Sequence, residues 1–262
     1  MAESTPYNHF SGTFVKVSSP TPYVALVELS RAPVNAFHEP FWVEMGKIFD
    51  KLGEEPTVRA VVLASAIPKL FSAGIDFSAL SLGVHLCHRA LPAPRRRCAH
   101  GVAYGLSIDI LSACDIRYAA ENARFSIKEV DVGLAADIGT LARVPKVTGN
   151  ASFVNELALT GRDFSAAEAL QCGLVSKVVP GSRDEVVAAA LATATLIASK
   201  SPVAARGTKR VLLHARDHSV EENLHYVAVW NSAMLQTQDL MDSIKAARTK
   251  SKAKFAPLAA KL

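Results

Sequence analysis

The residues with the most chemical potential in this chain are acids set among small apolar residues. The stretch KEVDVGLAADIGTLARVPK, residues 128–146, carries Glu129, Asp131 and Asp137 on a background of Val, Leu, Ala and Gly. A carboxylate is costly to bury unless something compensates it, so these acids stand either in water or in a site. A fourth acid, Asp109, lies in HGVAYGLSIDILSACD, where Gly105 precedes a short helix. The N–H groups of a helix N-terminus favour negative charge. A second small-residue stretch, FSAGIDF at residues 71–77, comes after an apolar run, and its Gly74 lets backbone N–H groups approach a ligand. Two loops that present N–H donors suit an oxyanion hole around a carbonyl oxygen, and acids beside it suit proton transfer. Each acid also has a plain reading. Asp137 suits the N-cap of a helix IGTLARV, Glu129 a solvated strand end, and Asp109 a first-turn acid favoured by the helix dipole.

The elements that position these residues read as an α/β chain. GTFVKVSS and YVALVELS are two strands split by Pro20 and Pro22. PFWVEMGKIFDKLGEE is an amphipathic helix with Phe41, Met45, Ile48 and Leu52 on one face, Pro40 in its first turn and Gly53 at its end. VRAVVLAS is a buried strand. CAHGVAYG reads as a strand and its turn, SIDILSACD as a short helix, IRYAAENARFSI as two short strands and DIGTLARV as another helix. A strand-strand-helix unit that repeats loosely stacks into a coiled core. From about Asn150 the chain turns helical. NASFVNELALTG and SAAEALQCG are closed by Gly161 and Gly173, LVSKVVP is a short strand, and RDEVVAAALATATLIASK is a long helix. Residues 219–247 read as one further helix with Leu224, Val227, Trp230, Met234, Met241 and Ile244 near helical spacing, opened by a capping box of Ser219 and Glu222. That stripe is most simply core packing, with an oligomer interface as the second reading.

Composition narrows the classes. In 262 residues, half are hydrophobic, so a sizeable core is expected. No apolar run reaches the roughly 18 residues of a membrane span, and the N-terminus lacks the apolar stretch of a signal peptide. A soluble, non-secreted protein is expected. Cys87, Cys98, Cys114 and Cys172 have no C-x-x-C spacing, so no metal site is expected. The net charge is +5, densest at Arg95-Arg96-Arg97 and Lys245 to Lys254. These runs read as solvated faces, with an anionic ligand such as a nucleotide phosphate as the second reading. Aromatics are not interleaved with them, which argues against a nucleic-acid partner.

Taken together and in order, FSAGID, the block SACDIRYAAENARFSIKEVDVGLAADIGTLARVPKVTGN, ELALTGRDFSAAEALQCGLVSKVV and ARDHSVEENLHYVAVWNSAMLQTQDL resemble the enoyl-CoA hydratase/isomerase (crotonase) superfamily. Within it the resemblance is strongest to the dienoyl-CoA isomerases. It implies a crotonase-type α/β coil over residues 1–150 that carries the site. It also implies a C-terminal helical oligomerisation region over 151–262 that ends in a targeting tail. The implied reaction is isomerisation of a 3,5-dienoyl-CoA to the 2,4-isomer, with no cofactor beyond the coenzyme A of the substrate. The backbone N–H groups of Ile75 and Leu106 would hold the thioester oxygen, and Ser72, Ala73, Gly74, Ile75, Asp76 and Leu106 would bind the substrate. By position, Asp137 matches the base near C2, Glu129 its partner near C6, and Asp109 a third acidic position shared with hydratases; Asp131 matches none and reads as structural.

Asp137 discriminates among the readings, because similar hydratases carry glycine there and pair two glutamates at the positions of Asp109 and Glu129. A hydratase or Δ3-Δ2 isomerase, and a silent subunit of the same fold, are the alternatives. Two departures stand out. Gly105-Leu106-Ser107 replaces a Gly-Gly-Gly run. SLGVHLCHRALPAPRRR replaces a few dozen residues that include a helix walling the acyl pocket, so residues 78–97 fall outside the resemblance. The family assembles as trimers or dimers of trimers, which is the expected state here. The terminal Ala260-Lys261-Leu262 resembles the peroxisomal Ser-Lys-Leu signal. It implies a peroxisomal location and an import-receptor partner, reached by a flexible tail KSKAKFAPLAAKL.

Overall fold

A computed structural model describes residues 7–76 and 95–258. Most of the segment 78–97, the side chains of the triple arginine, Cys87 and the terminal Ala260-Lys261-Leu262 lie outside the described residues. The order of the main elements is β1 (Val15–Thr21), β2 (Val24–Leu29), α1 (Glu39–Glu54), β3 (Ala60–Ser65), β4 (Leu70–Ser72), β5 (Arg95–Ala99), β6 (Val102–Tyr104), α2 (Leu106–Ser112), β7 (Ile116–Ala120), β8 (Arg124–Ser126), a 3-10 turn (Lys128–Val132), α3 (Thr140–Val147), α4 (Ala151–Thr160), β9 (Phe164–Ser165), α5 (Ala166–Gln171), β10 (Lys177–Val179), α6 (Arg183–Ala198), α7 (Pro202–His214), α8 (Val220–Met234) and α9 (Gln238–Arg248).

Two sheets result. One runs β1-β2-β3-β5-β7-β10 and the other β4-β6-β8-β9. The pairs β3/β4, β5/β6 and β7/β8 each send their first strand to the larger sheet and their second to the smaller one. Each repeat is therefore one turn of a coil, as the repeat of strand-strand-helix units predicts. CAHGVAYG contributes two strands rather than a strand and a turn, because Gly101, at φ +55°, lets the chain bend sharply between them.

The composition of β3 reflects its place in the coil. All six of its residues are buried. Val61 and Leu63 face the core between the two sheets, while Ala60, Val62 and Ala64 face the layer covered by α6. Strand alternation sends small residues to one face, where Ala190, Ala194 and Ala198 of α6 pack closely. The sheets also cross the boundary expected near residue 150. β9 pairs with β8, and β10 pairs with β7.

The C-terminal helices differ from the sequence reading. Residues 219–247 form two helices, α8 and α9, with a break after Met234. Helix α7 has no counterpart in the sequence reading. Core packing does not explain the apolar stripe: α8 has no buried residue. Leu224 and Met241 are 63% and 58% exposed. The tail is also less free than expected. Arg59, stacked on Tyr23, donates to the carbonyls of Phe255 and Ala256, and Leu258 N–H donates to Pro56. Among the described residues no single helix is long and apolar enough to cross a membrane.

Candidate active site

Strands β4, β6 and β8 are parallel neighbours. Their C-terminal ends therefore open at the same edge of the small sheet, the usual place for ligands in parallel sheets. The three loops after these strands carry Ala73 to Asp76, Gly105-Leu106, and Glu129. Parallel pairing thus brings together segments that are distant in sequence.

The first loop is held by its polar groups. The parallel bridge between Phe37 and Ile75 uses Phe37 N–H to the Gly74 carbonyl and Asp76 N–H to the Phe37 carbonyl, which leaves the Ile75 N–H out of the ladder. Buried Ser72 donates to Asn35 O at 2.7 Å and accepts Gly74 N–H at 3.1 Å. Ala73 N–H donates to Val34 O and is itself exposed as a residue. Asp76 pairs with Arg31 at 2.7 Å. Gly74 has φ +97°, and a Cβ there would stand 3.0 Å from Tyr104 O and 3.8 Å from Leu106 N, so the two N–H-bearing loops touch at this glycine.

The second loop shows why one glycine suffices where a run of three is usual. Only Gly105 has positive φ, at +51°. Leu106 and Ser107 already lie in α2, both buried, and Ser107 Oγ donates to Ser72 O. As the first residue of α2, Leu106 has an N–H with no acceptor within the helix. The glycine also makes room for an acid, since a Cβ at Gly105 would meet Glu129 Oε1 at 3.3 Å.

The acids differ sharply in environment. Glu129 is 9% exposed, and its Oε2 is buried without a hydrogen-bond partner. Burial, then the negative charges of Asp109 and Asp137, push its carboxyl up to about 7. Asp109 is 2% exposed and accepts the Thr140 N–H at 2.6 Å. Burial raises its carboxyl above the ordinary range, opposed by the Thr140 hydrogen bond. Asp137 is exposed. It does not cap α3, whose N-cap is Gly139. Asp131 is half-exposed, pairs with Lys128 at 3.2 Å, and lies on the outer side of the turn against Gly161. Glu129 is thus not the solvated strand end of the plain reading: it is the one buried residue of a 3-10 turn whose other residues are half-buried or exposed. Among the described residues no cluster of three or more His, Cys, Asp or Glu could hold a metal ion.

Sequence reading missed the residues that hold these loops. Asn35, fully buried with φ +48°, receives Arg31 N–H and donates to Ser65 and Phe71. Thr140 is also buried. An Asn close after a proline is a turn signal, but which loop it buttresses is decided only in three dimensions.

Comparison with known proteins agrees with this architecture. The sequence profile of the Enoyl-CoA hydratase/isomerase family matches residues 21–90 and 98–257. The chain belongs to this family. The match narrows the stretch outside the family from 78–97 to 91–97. Over 259 aligned positions the chain is 44% identical to the human mitochondrial Delta(3,5)-Delta(2,4)-dienoyl-CoA isomerase, covering 88% of this chain and 78% of the human protein. Those positions outnumber the residues of this chain that they cover, so the human protein carries residues with no counterpart here. The peroxisomal protein of the same name from Arabidopsis thaliana is 39% identical, covering 86% of this chain and 89% of that protein. A crystal structure of enoyl-CoA hydratase from Bacillus anthracis superposes with TM-score 0.86 at 26% identity, covering 93% of this chain and 99% of that one.

Proposed function

We propose that this chain isomerises 3,5-dienoyl-CoA thioesters to 2,4-dienoyl-CoA thioesters in fatty-acid degradation. The N–H groups of Ile75 and Leu106 bind the thioester oxygen. Asp137 takes a proton from C2, and the electron pair moves onto that oxygen as a dienolate. Glu129 gives a proton to C6, the carbonyl re-forms, and the double bonds come to rest at C2 and C4. The carboxyls then exchange protons and reset. No cofactor beyond the coenzyme A of the substrate enters these steps.

The observation that carries this reading is the contrast between Glu129 and Asp137. Proton delivery to C6 needs a carboxyl still protonated near neutral pH, and a buried Glu129 raised to about 7 meets that need. An acid at position 137 is what a two-carboxyl isomerase requires in addition. The names of the human and Arabidopsis relatives support the same reaction. The test is an assay of purified protein with a 3,5-dienoyl-CoA, monitored by the ultraviolet absorbance of the conjugated product. Hydration of a 2-enoyl-CoA without dienoyl isomerisation would favour the hydratase reading, and neither activity would favour a silent subunit.

Two further features belong to this proposal. The chain assembles as a trimer or dimer of trimers through the helices after Asn150, supported by the exposed Leu224, Val229, Leu235 and Met241. A monomeric mass by light scattering at micromolar concentration would remove that assignment. The chain acts in peroxisomes, reached by an import receptor that takes Ala260-Lys261-Leu262; of its relatives, the Arabidopsis protein is peroxisomal and the human one mitochondrial. Deleting those three residues from a fluorescent fusion is expected to leave it in the cytosol, whereas unchanged punctate staining refutes the address.

A further inference from the structure

Helix α3 starts without a cap of its own. Its N-cap is Gly139, at φ +144°, with no side chain to accept a first-turn N–H. Yet Thr140, its first residue, is fully buried, where an unpaired N–H is costly. The acceptor comes from thirty-one residues earlier: Asp109 Oδ1, at 2.6 Å. A carboxylate on a helix N-terminus is a charge-assisted bond, favoured further by the helix dipole. Asp109 lies in α2, three residues after Leu106, and Asp137 lies three residues before Thr140. One hydrogen bond thus joins the helix that begins with the Leu106 N–H to the start of the helix just after Asp137.

We infer that Asp109 is a positioning residue: its buried carboxylate caps α3 across the fold and sets where the Asp137 loop stands relative to the Leu106 N–H. This rests on the roles proposed above for Leu106 and Asp137. Asp109 is sealed from solvent and commits an oxygen to Thr140, which suits a strut better than a group that exchanges protons with water on each turnover. Its charge has a second effect. The groups acting on Glu129 are Asp109 from α2 and Asp137 from the loop before α3, and both raise its carboxyl. Arg143 of α3 acts on Asp109. The Lys128 ammonium is held by Gly161 O, Asp131 and Asp163.

Asp109→Asn keeps an oxygen acceptor and removes the charge, while Asp109→Ala removes both. With Asn, turnover is expected within about tenfold of native, and the alkaline limb of the kcat profile set by Glu129 moves to lower pH. With Ala, kcat is expected to fall more than about a hundredfold with little change in KM, and the Thr140 amide loses protection from hydrogen exchange. Thr140→Pro removes the donor instead, at a first helical position where proline is tolerated, and is expected to give the same fall in kcat if the Ala variant does not fold. A fall of about 10²–10⁴ with Asn, the usual cost of a lost general acid or base, overturns the inference by making Asp109 a proton carrier. Equal activity in Asn and Ala variants overturns it by removing the strut. Two readouts need no turnover: exchange at the Thr140 amide, and the carboxyl titration of labelled Glu129, expected lower in the Asn variant. If the native protein lacks isomerase activity, the proposed function fails while these two still decide the strut. Protection kept with Asn and lost with Ala upholds it; equal protection in both refutes it.

Discussion

Glu129 and Asp137 lie eight residues apart on one stretch of chain, yet the fold treats them oppositely. Glu129 sits on the 3-10 turn after β8, pressed against Gly105, with one oxygen buried and unpartnered. Asp137 sits on the loop before α3, in solvent. The difference comes from the segments that meet each acid. Glu129 enters a gap that Gly105 leaves open, whereas the helix after Asp137 is capped by another residue, Asp109. A pair of carboxyls in unlike environments can divide the roles of acid and base. The contrast therefore teaches more about function than either acid does alone.

The largest effect should come from deleting either half of the contrast. Asp137→Asn and Glu129→Gln are each expected to lower kcat by about 10²–10⁴ while the protein stays folded. They should differ in deuterated water: Glu129→Gln retains exchange at C2 and Asp137→Asn loses it. Near-native turnover in Asp137→Asn would end the contrast and return that residue to an ordinary surface charge.

Stability should show the next largest effect, at Glu129. Its carboxyl is raised from 4.5 to about 7 in the folded protein. Between those values the folded state holds a proton that the unfolded chain has released, so stability falls as pH rises and then levels off above about 7. A shift of that size corresponds to ~3 kcal/mol. Glu129→Gln, which carries no such charge, is expected to be more stable than native by that order at pH 8 and to lose the advantage near pH 4. Denaturant unfolding at both pH values measures it, and a pH-independent difference would mean that Glu129 is not desolvated.

A smaller change sharpens the same contrast from the other side. Gly105→Ala places a side chain at φ +51° and sets a Cβ against the Glu129 carboxylate. It is expected to cost about 1–3 kcal/mol and to lower kcat, whereas unchanged thermal unfolding would show that the turn relaxes. The smallest effect is expected at Asp131. Its ion pair with Lys128 is half in water, so Asp131→Asn should change stability by less than about 1 kcal/mol and leave turnover nearly intact.

Much of the frame was legible because its signals are local. The continuous apolar run of β3, the amphipathic face of α1, the capping box at Ser219 and the glycines closing α4 and α5 each depend on neighbours a few residues away. The helix break after Met234 was hidden because the apolar spacing of residues 219–247 runs on past it. Helix α7 was legible in principle: its apolar and charged residues segregate about as well as those of α1, and Pro202 stands in its first turn. The exposure of the stripe on α8 was not legible, because a helical pattern marks an apolar face without saying what it meets.

The sequence by itself determined which residue types were present to do chemistry: two N–H-bearing small-residue loops, and acids at 109, 129 and 137. It also determined most of the strands and helices, because their periods of 2 and 3.6 are written in adjacent residues. Only the tertiary structure decided that Glu129 is buried and Asp137 is not. Only it decided that Asp109 caps a helix thirty-one residues away, and that Asn35 and Arg31 hold the loop of Ile75. The reason is physical. A carboxyl's proton affinity is set by the water removed from it and the charges brought near it, and both are supplied by segments that meet only when parallel strands pair.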